Sequence, residues 1–123
     1  MPPPLPLLVP PGRAEQLQQR QTALNEAQRS LARCLEAESA AETAVSQVER
    51  EIARQTQDAT DVNGSDEVVE AFGRWFRGER QHLMQARRRL EGIQAEIMRE
   101  RAVVQACRDA LERCERLNSS GAA

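Results

Sequence analysis

Seven apolar residues stand seven positions apart along the second half of the chain, and this spacing constrains the fold more than any other feature. They are Val69, Phe76, Leu83, Leu90, Ile97, Val104 and Leu111. Seven residues make nearly two turns of an α-helix, so these side chains form one narrow stripe along a long helix. A stripe of this kind packs against another helix. The spacing therefore predicts a coiled coil, a class whose fold alone does not reveal its function.

The composition favours long helices over a compact globule. The 123 residues include two Phe, one Trp and no Tyr, whereas 29% of the residues are charged. Such a chain buries a stripe of Leu, Val, Ile and Ala better than it fills a globular core. All 17 basic residues are arginine, 19 residues are acidic, and the formal net charge is −2. This balance argues against a nucleic-acid-binding protein.

The first segment, residues 1–12, holds all six prolines and predicts a flexible, extended tail. Pro3 and Pro6 have the P-x-x-P spacing of a docking ligand, although a frayed tail explains the same residues. The prolines interrupt the apolar stretch, so we expect neither a signal peptide nor a membrane-inserted helix. The three cysteines are widely spaced, which favours reduced thiols. Together with the lack of an expected signal peptide, this state of the thiols favours a cytoplasmic protein.

The remainder predicts two helices that form an antiparallel coiled-coil hairpin over residues 13–117, an all-α fold. Helix one is expected at about 14–57, a polar turn at 58–66, helix two at about 67–117, and a second flexible tail at 118–123. Ser65 or Asp66 is the expected N-cap of helix two. The ladder of helix one is Leu17, Leu24, Leu31, Val45 and Ile52, followed three residues behind by Ala27, Cys34, Ala41 and Val48. The second ladder of helix two is Phe72, Ala86, Ile93, Cys107 and Cys114.

Charged residues interrupt these ladders and suggest a register. A turn centred near Asn63 sets Arg20 opposite Glu100, where the two charges would satisfy each other. In the same register Glu38 faces Ala86 or Arg87, with Arg87 and Arg88 as partners, and Glu79 has no obvious partner.

The residue types that carry enzymatic chemistry are sparse. His82 is the single histidine and has no second ligand at metal spacing, and phosphate-cradling glycine motifs do not occur. We therefore expect a non-enzymatic protein without cofactor or metal, in which the cysteines act as small seam hydrophobes. An uncovered Cys114 with a redox or intermolecular role is the alternative.

The best candidate for a binding site is the start of helix two. It contains all three aromatic residues together with a band of arginines, and the predicted partner-binding set is Phe72, Trp75, Phe76, Arg74, Arg77 and Arg80. Arg87, Arg88 and Arg89 continue the band. Trp75 flanks the seam and is of the type enriched at binding hot spots. Packing of the two Phe residues in the seam is the structural alternative.

The segment DEVVEAFGRWFRGERQHLMQARRRLEGI, residues 66–93, together with the two-helix architecture of residues 13–117, resembles the FliJ/YscO family of type III secretion stalk proteins. The Pro-rich start departs from that family. The resemblance implies a cytoplasmic, non-catalytic stalk at the inner-membrane secretion machinery. Its partners would be a hexameric secretion ATPase, an export-gate protein and secretion chaperones, with neither nucleic acid nor direct membrane insertion, and the chain would be a monomer or weak dimer.

By the same resemblance, the aromatic set would face the export gate or a chaperone, and a group of arginines near the chain ends would face the ATPase. These are Arg13, Arg20, Arg108, Arg113 and Arg116. A generic coiled-coil interaction protein, such as a co-chaperone or assembly factor, is the alternative function.

Overall fold

Two long helices make up the protein. The computed structural model describes residues 12–61 and 64–120, in which α1 spans Arg13–Asp61 and α2 spans Asp66–Ser120. These residues contain no strand, and the two helices pack against each other. The predicted all-α class is thus confirmed, and the arrangement is consistent with a helical hairpin. Neither helix, within the ranges described, has a stretch apolar enough to cross a bilayer.

The helix boundaries differ from prediction by one residue at the start of each helix, and by four and three residues at the ends of α1 and α2. α1 continues four residues past the predicted end and includes 58–61, since this polar stretch contains no Gly or Pro to stop a helix. Thr60 Oγ1 donates to the Thr56 carbonyl at 2.8 Å within this last part of α1. α2 begins at Asp66 and continues to Ser120, three residues beyond the predicted end. The predicted tail at 1–12 lies outside the described residues except for Gly12, as do positions 121–123 of the other tail.

The N-cap position of α2 falls on one of the two residues that the sequence predicts. The Ser65 carbonyl accepts hydrogen bonds from the backbone N–H groups of Val68 at 3.0 Å and Val69 at 3.1 Å. Asp66 and Glu67 follow in the first turn. Their carboxylates lie at the positive end of the helix dipole and so stabilise it. Ser65 is therefore the N-cap residue.

The chain divides into two compact units, each built from a segment of both helices. The terminal unit contains the described residues 12–32 and 99–120, and the turn unit contains 33–61 and 64–98. In the terminal unit, the buried core consists of Leu24, Ala27, Val104 and Leu111, with Leu17, Leu31 and Cys107 packed against it. In the turn unit, the buried hydrophobic residues are Ala41, Val45 and Ile97.

Every buried hydrophobic residue of the described ranges belongs to one of the predicted ladders. The heptad spacing therefore identified the residues that the helices bury. Val69, the first member of the α2 ladder, is an exception because its side chain is 63% exposed.

The predicted register is wrong in its details. Arg20 lies beside Ala106, Cys107 and Ala110, about two helical turns further along α2 than Glu100. Because the heptad pattern repeats every seven positions, the sequence alone does not distinguish registers that differ by one heptad. In the turn unit, Arg87 Nη2 lies 3.7 Å from Glu49 Oε1, so Arg87 pairs with Glu49 and not with Glu38.

The observed register makes a double-mutant prediction. We expect the effects of Arg20→Leu and Glu100→Leu on the free energy of unfolding to add, with a coupling below about 0.5 kcal/mol, because the two side chains do not form an ion pair. Urea denaturation of both single variants and the double variant measures the coupling. A clearly larger favourable coupling would contradict the observed register and support the one in which Arg20 and Glu100 pair.

Gly92 offers a second test of the fold. It lies exposed within α2, and a Cβ there would meet nothing within 4 Å, so Gly92→Ala is expected to raise the free energy of unfolding by about 0.5–1 kcal/mol. Gly64→Ala is the control, because its Cβ would come within 2.9 Å of Val68 Cγ1 and should bring no gain. Chemical denaturation followed by circular dichroism measures both variants. Equal stabilisation by the two substitutions would contradict the placement of Gly64.

Candidate partner-binding site

The three aromatic residues form a cluster on α2 in the turn unit. The ring centroids of Phe72 and Trp75 lie 5.8 Å apart with a tilt of 34° between the planes. Those of Phe72 and Phe76 lie 6.0 Å apart with the rings nearly stacked. Spacings of three and four residues place the rings on the same helix face, where they contact each other. The cluster therefore forms through neighbours on one helix, and all three residues are half-buried.

Arginine extends the cluster on the next turn of α2. The Arg80 guanidinium carbon lies 5.8 Å from the centroid of the Phe76 ring, within the range of a cation–π interaction. Arg74 and Arg77 are exposed on either side of the aromatic pair Trp75 and Phe76. The structure thus brings Phe72, Trp75, Phe76 and Arg80 together, and it places the other two predicted site residues on the surface beside them.

Exposed apolar side chains adjoin the aromatic cluster. Val68 and Val69, in the first turn of α2, are both more than half exposed. The acidic residues Asp66 and Glu67 precede the two valines and are also exposed. An apolar surface with exposed arginines on one side and carboxylates on the other suits a protein partner of mixed charge.

Near this site, two groups of polar and ionisable side chains each form contacts within a single helix. Glu79, for which the sequence indicated no partner, lies 3.3 Å from His82 Nδ1. On α1, Glu51 accepts hydrogen bonds from Arg54 Nη2 at 3.0 Å and from Gln55 Nε2 at 3.1 Å. These bonds, from Arg54 first and then Gln55, lower the pKa of the Glu51 carboxyl, and the same contact raises the pKa of Arg54. Arg54 and His82 are exposed, whereas Glu51 and Glu79 are half-buried, and each contact stabilises the helix in which it lies.

The arginines predicted to face an ATPase all lie in the terminal unit. Arg13, Arg20, Arg108, Arg113 and Arg116 are exposed. Arg113 Nε donates to the Asp109 carbonyl at 3.4 Å within α2. Each guanidinium presents several N–H donors, so this group can contact carboxylates or carbonyls of a partner.

Sequence reasoning missed two adjoining depressions in the terminal unit, which we call the terminal trough. One, of about 290 Å³, is lined by Arg20, Ala23, Val103, Ala106, Cys107 and Ala110. The other, also of about 290 Å³, is lined by Gln16, Arg20, Ala110, Arg113, Cys114 and Leu117. Alanines beside the predicted seams are the signal that could have revealed it, since small side chains leave the groove between two helices unfilled.

A related depression lies in the turn unit and has a volume of about 470 Å³. Its lining is mostly alanine, with three polar side chains at the edge: His82, Gln85 and Arg89. His82 thus lies beside an open groove rather than within a cluster of catalytic side chains.

Comparison with known proteins gave no relative: the chain matches no protein-family model, no curated protein sequence and no solved structure.

Proposed function

We propose that this protein is a non-catalytic stalk or adaptor of a bacterial type III secretion apparatus, in which an antiparallel coiled coil links the hexameric export ATPase to the export gate and its chaperones. The observation that carries the proposal is the aromatic cluster with Arg80, an apolar and cationic surface on a chain made of two helices. The sequence resemblance to secretion stalk proteins supplies the identity of the partners.

The two compact units support an adaptor because each presents a different contact chemistry. The turn unit has the aromatic cluster, which suits a partner with an apolar pocket such as an export-gate protein or a chaperone. The terminal unit has the exposed arginines, which suit the carboxylates of an ATPase ring. One chain can therefore engage two different partners through separate surfaces.

The buried residues support a passive, mechanical role. They are all aliphatic and lie on heptad positions, and the described residues include no buried polar or charged side chain. A seam of this kind transmits position along two paired helices. We therefore propose that the chain binds and positions its partners without chemistry of its own.

Mixing the full chain with a purified type III secretion ATPase from the same bacterium tests the proposal. We expect capture of the ATPase on immobilised chain and faster ATP hydrolysis. The charge-reversed variant Arg108→Glu, Arg113→Glu and Arg116→Glu should reduce capture by at least about tenfold, since attraction to carboxylates becomes repulsion. The matched control reverses Arg87, Arg88 and Arg89 in the turn unit and should leave capture unchanged.

The result also separates the stalk from the generic interaction protein. A generic coiled-coil protein would bind a client through the aromatic cluster and have no effect on the ATPase. Undiminished capture by the terminal-unit variant, or no capture by the unmodified chain, would count against the stalk.

A further inference from the structure

The terminal trough is an apolar surface that neither helix covers. Leu117 is 70% exposed and Val103 is 48% exposed, and the half-buried thiols Cys107 and Cys114 lie between them along α2. The two depressions share Arg20 and Ala110, so they lie next to each other. Exposure of this much aliphatic surface to water is unfavourable. Binding of a ligand with small aliphatic side chains would therefore be favoured by the free energy gained when that surface is buried.

The edge of the trough adds hydrogen-bond donors to the apolar floor. Gln16, Arg20 and Arg113 line it, and their amide and guanidinium groups donate to carbonyl oxygens. Arg113 uses one N–H on the Asp109 carbonyl, and its other N–H groups can reach a ligand. An extended Pro-rich segment matches this chemistry, because its carbonyls have no partners within the segment and it has few donors of its own.

The sequence contains a segment of this type directly before Gly12. Residues 1–11 have no charged side chain, and their aliphatic residues are Leu5, Leu7, Leu8 and Val9 among six prolines. The segment joins the described part of the chain at Gly12. The carbonyl of Gly12 accepts a hydrogen bond from the backbone N–H of Gln16, and the Gln16 side chain lines the trough.

The distances allow the segment to reach the trough by folding back. Gln16 and Arg20 lie about 6 and 12 Å along α1 from Gly12, at roughly 1.5 Å per residue. Leu8 and Leu7 precede Gly12 by about 12 and 16 Å of extended chain, at roughly 3.1 Å per residue. Both leucines can therefore lie over Leu117, Cys114 and Ala110.

We propose that residues 5–9 (LPLLV) bind in the terminal trough of their own chain and cover Cys114. Because the segment is tethered beside the groove, its effective concentration is on the order of millimolar, well above that of a second copy in dilute solution. The Pro-rich start of the chain is on this account an intramolecular ligand, and any partner that binds the trough must displace it. The proposal does not depend on the secretion role.

The reactivity of the Cys114 thiol tests the proposal. In a full-length variant with Cys34→Ala and Cys107→Ala, the rate of reaction with the disulfide reagent DTNB is compared with and without Leu7→Asp and Leu8→Asp. Two aspartates cannot bind an apolar groove, so we expect the reaction to speed up at least about fivefold, as when four-fifths of the molecules are docked. The matched control retains Cys34 in place of Cys114, and its rate should not respond.

Disulfide capture gives an independent readout that does not rely on disruptive substitutions. With Leu8→Cys in the Cys114-only background, oxidised glutathione should produce a disulfide within one chain at every protein concentration. Equal Cys114 rates with and without the aspartates would overturn the proposal. Protection that grows with protein concentration, or disulfides mainly between chains, would also overturn it and assign the trough to a second copy.

Discussion

Replacing Ile97 with alanine is expected to lower the free energy of unfolding by about 2–4 kcal/mol. Ile97 is the most buried of the core residues of the described chain, with 3% of its surface exposed. Its removal takes several methyl and methylene groups out of a seam between only two helices, where few neighbours can move in to fill the space. For a protein of this size, that loss is a large part of the total stability.

Met98 provides the matched control, because it follows Ile97 in the chain and is 72% exposed. Met98→Ala removes a similar aliphatic volume from the same turn of α2, and we expect a change within about 0.5 kcal/mol. Urea denaturation followed by circular dichroism measures both variants at one protein concentration. Similar losses for the two substitutions would show that α2 buries a different face from the one in the structure.

Replacing Trp75 with alanine is expected to weaken binding to the proposed partner, an export-gate protein or chaperone, at least about 30-fold, the effect of losing a hot-spot side chain. Trp75 packs against Phe72 and extends the apolar surface of the cluster. Isothermal titration calorimetry with the purified partner measures the change. Trp75 is also the single tryptophan in a chain without tyrosine, so its fluorescence emission should shift to shorter wavelength when a partner covers it.

Two controls separate binding from folding in this experiment. Trp75→Phe keeps an aromatic ring in the cluster and should retain most of the affinity. Met84→Ala removes an exposed apolar side chain outside the cluster and should have no effect. If Trp75→Ala bound as tightly as the unmodified chain, the aromatic cluster would have a packing role and the partner site would lie elsewhere.

The sequence by itself determined the two helices and the residues that they bury. Heptad spacing marks residues for the same helix face wherever the chain is helical, which is why Leu24, Val45, Ile97 and Val104 were identified in advance. The start of α2 after Ser65 also follows from local chemistry, since the first hydrogen bonds of a helix involve only neighbours in the chain. The aromatic cluster is another feature that the sequence determines, because its members are three and four residues apart on one helix.

The tertiary structure alone decided what lies opposite each residue. The heptad pattern repeats every seven positions, so α2 can shift by whole heptads and still present apolar side chains to α1. The observed register places Arg20 beside Ala106 and pairs Arg87 with Glu49. The terminal trough likewise depends on which small side chains of both helices meet, and the spacing along one chain contains no information on that pairing.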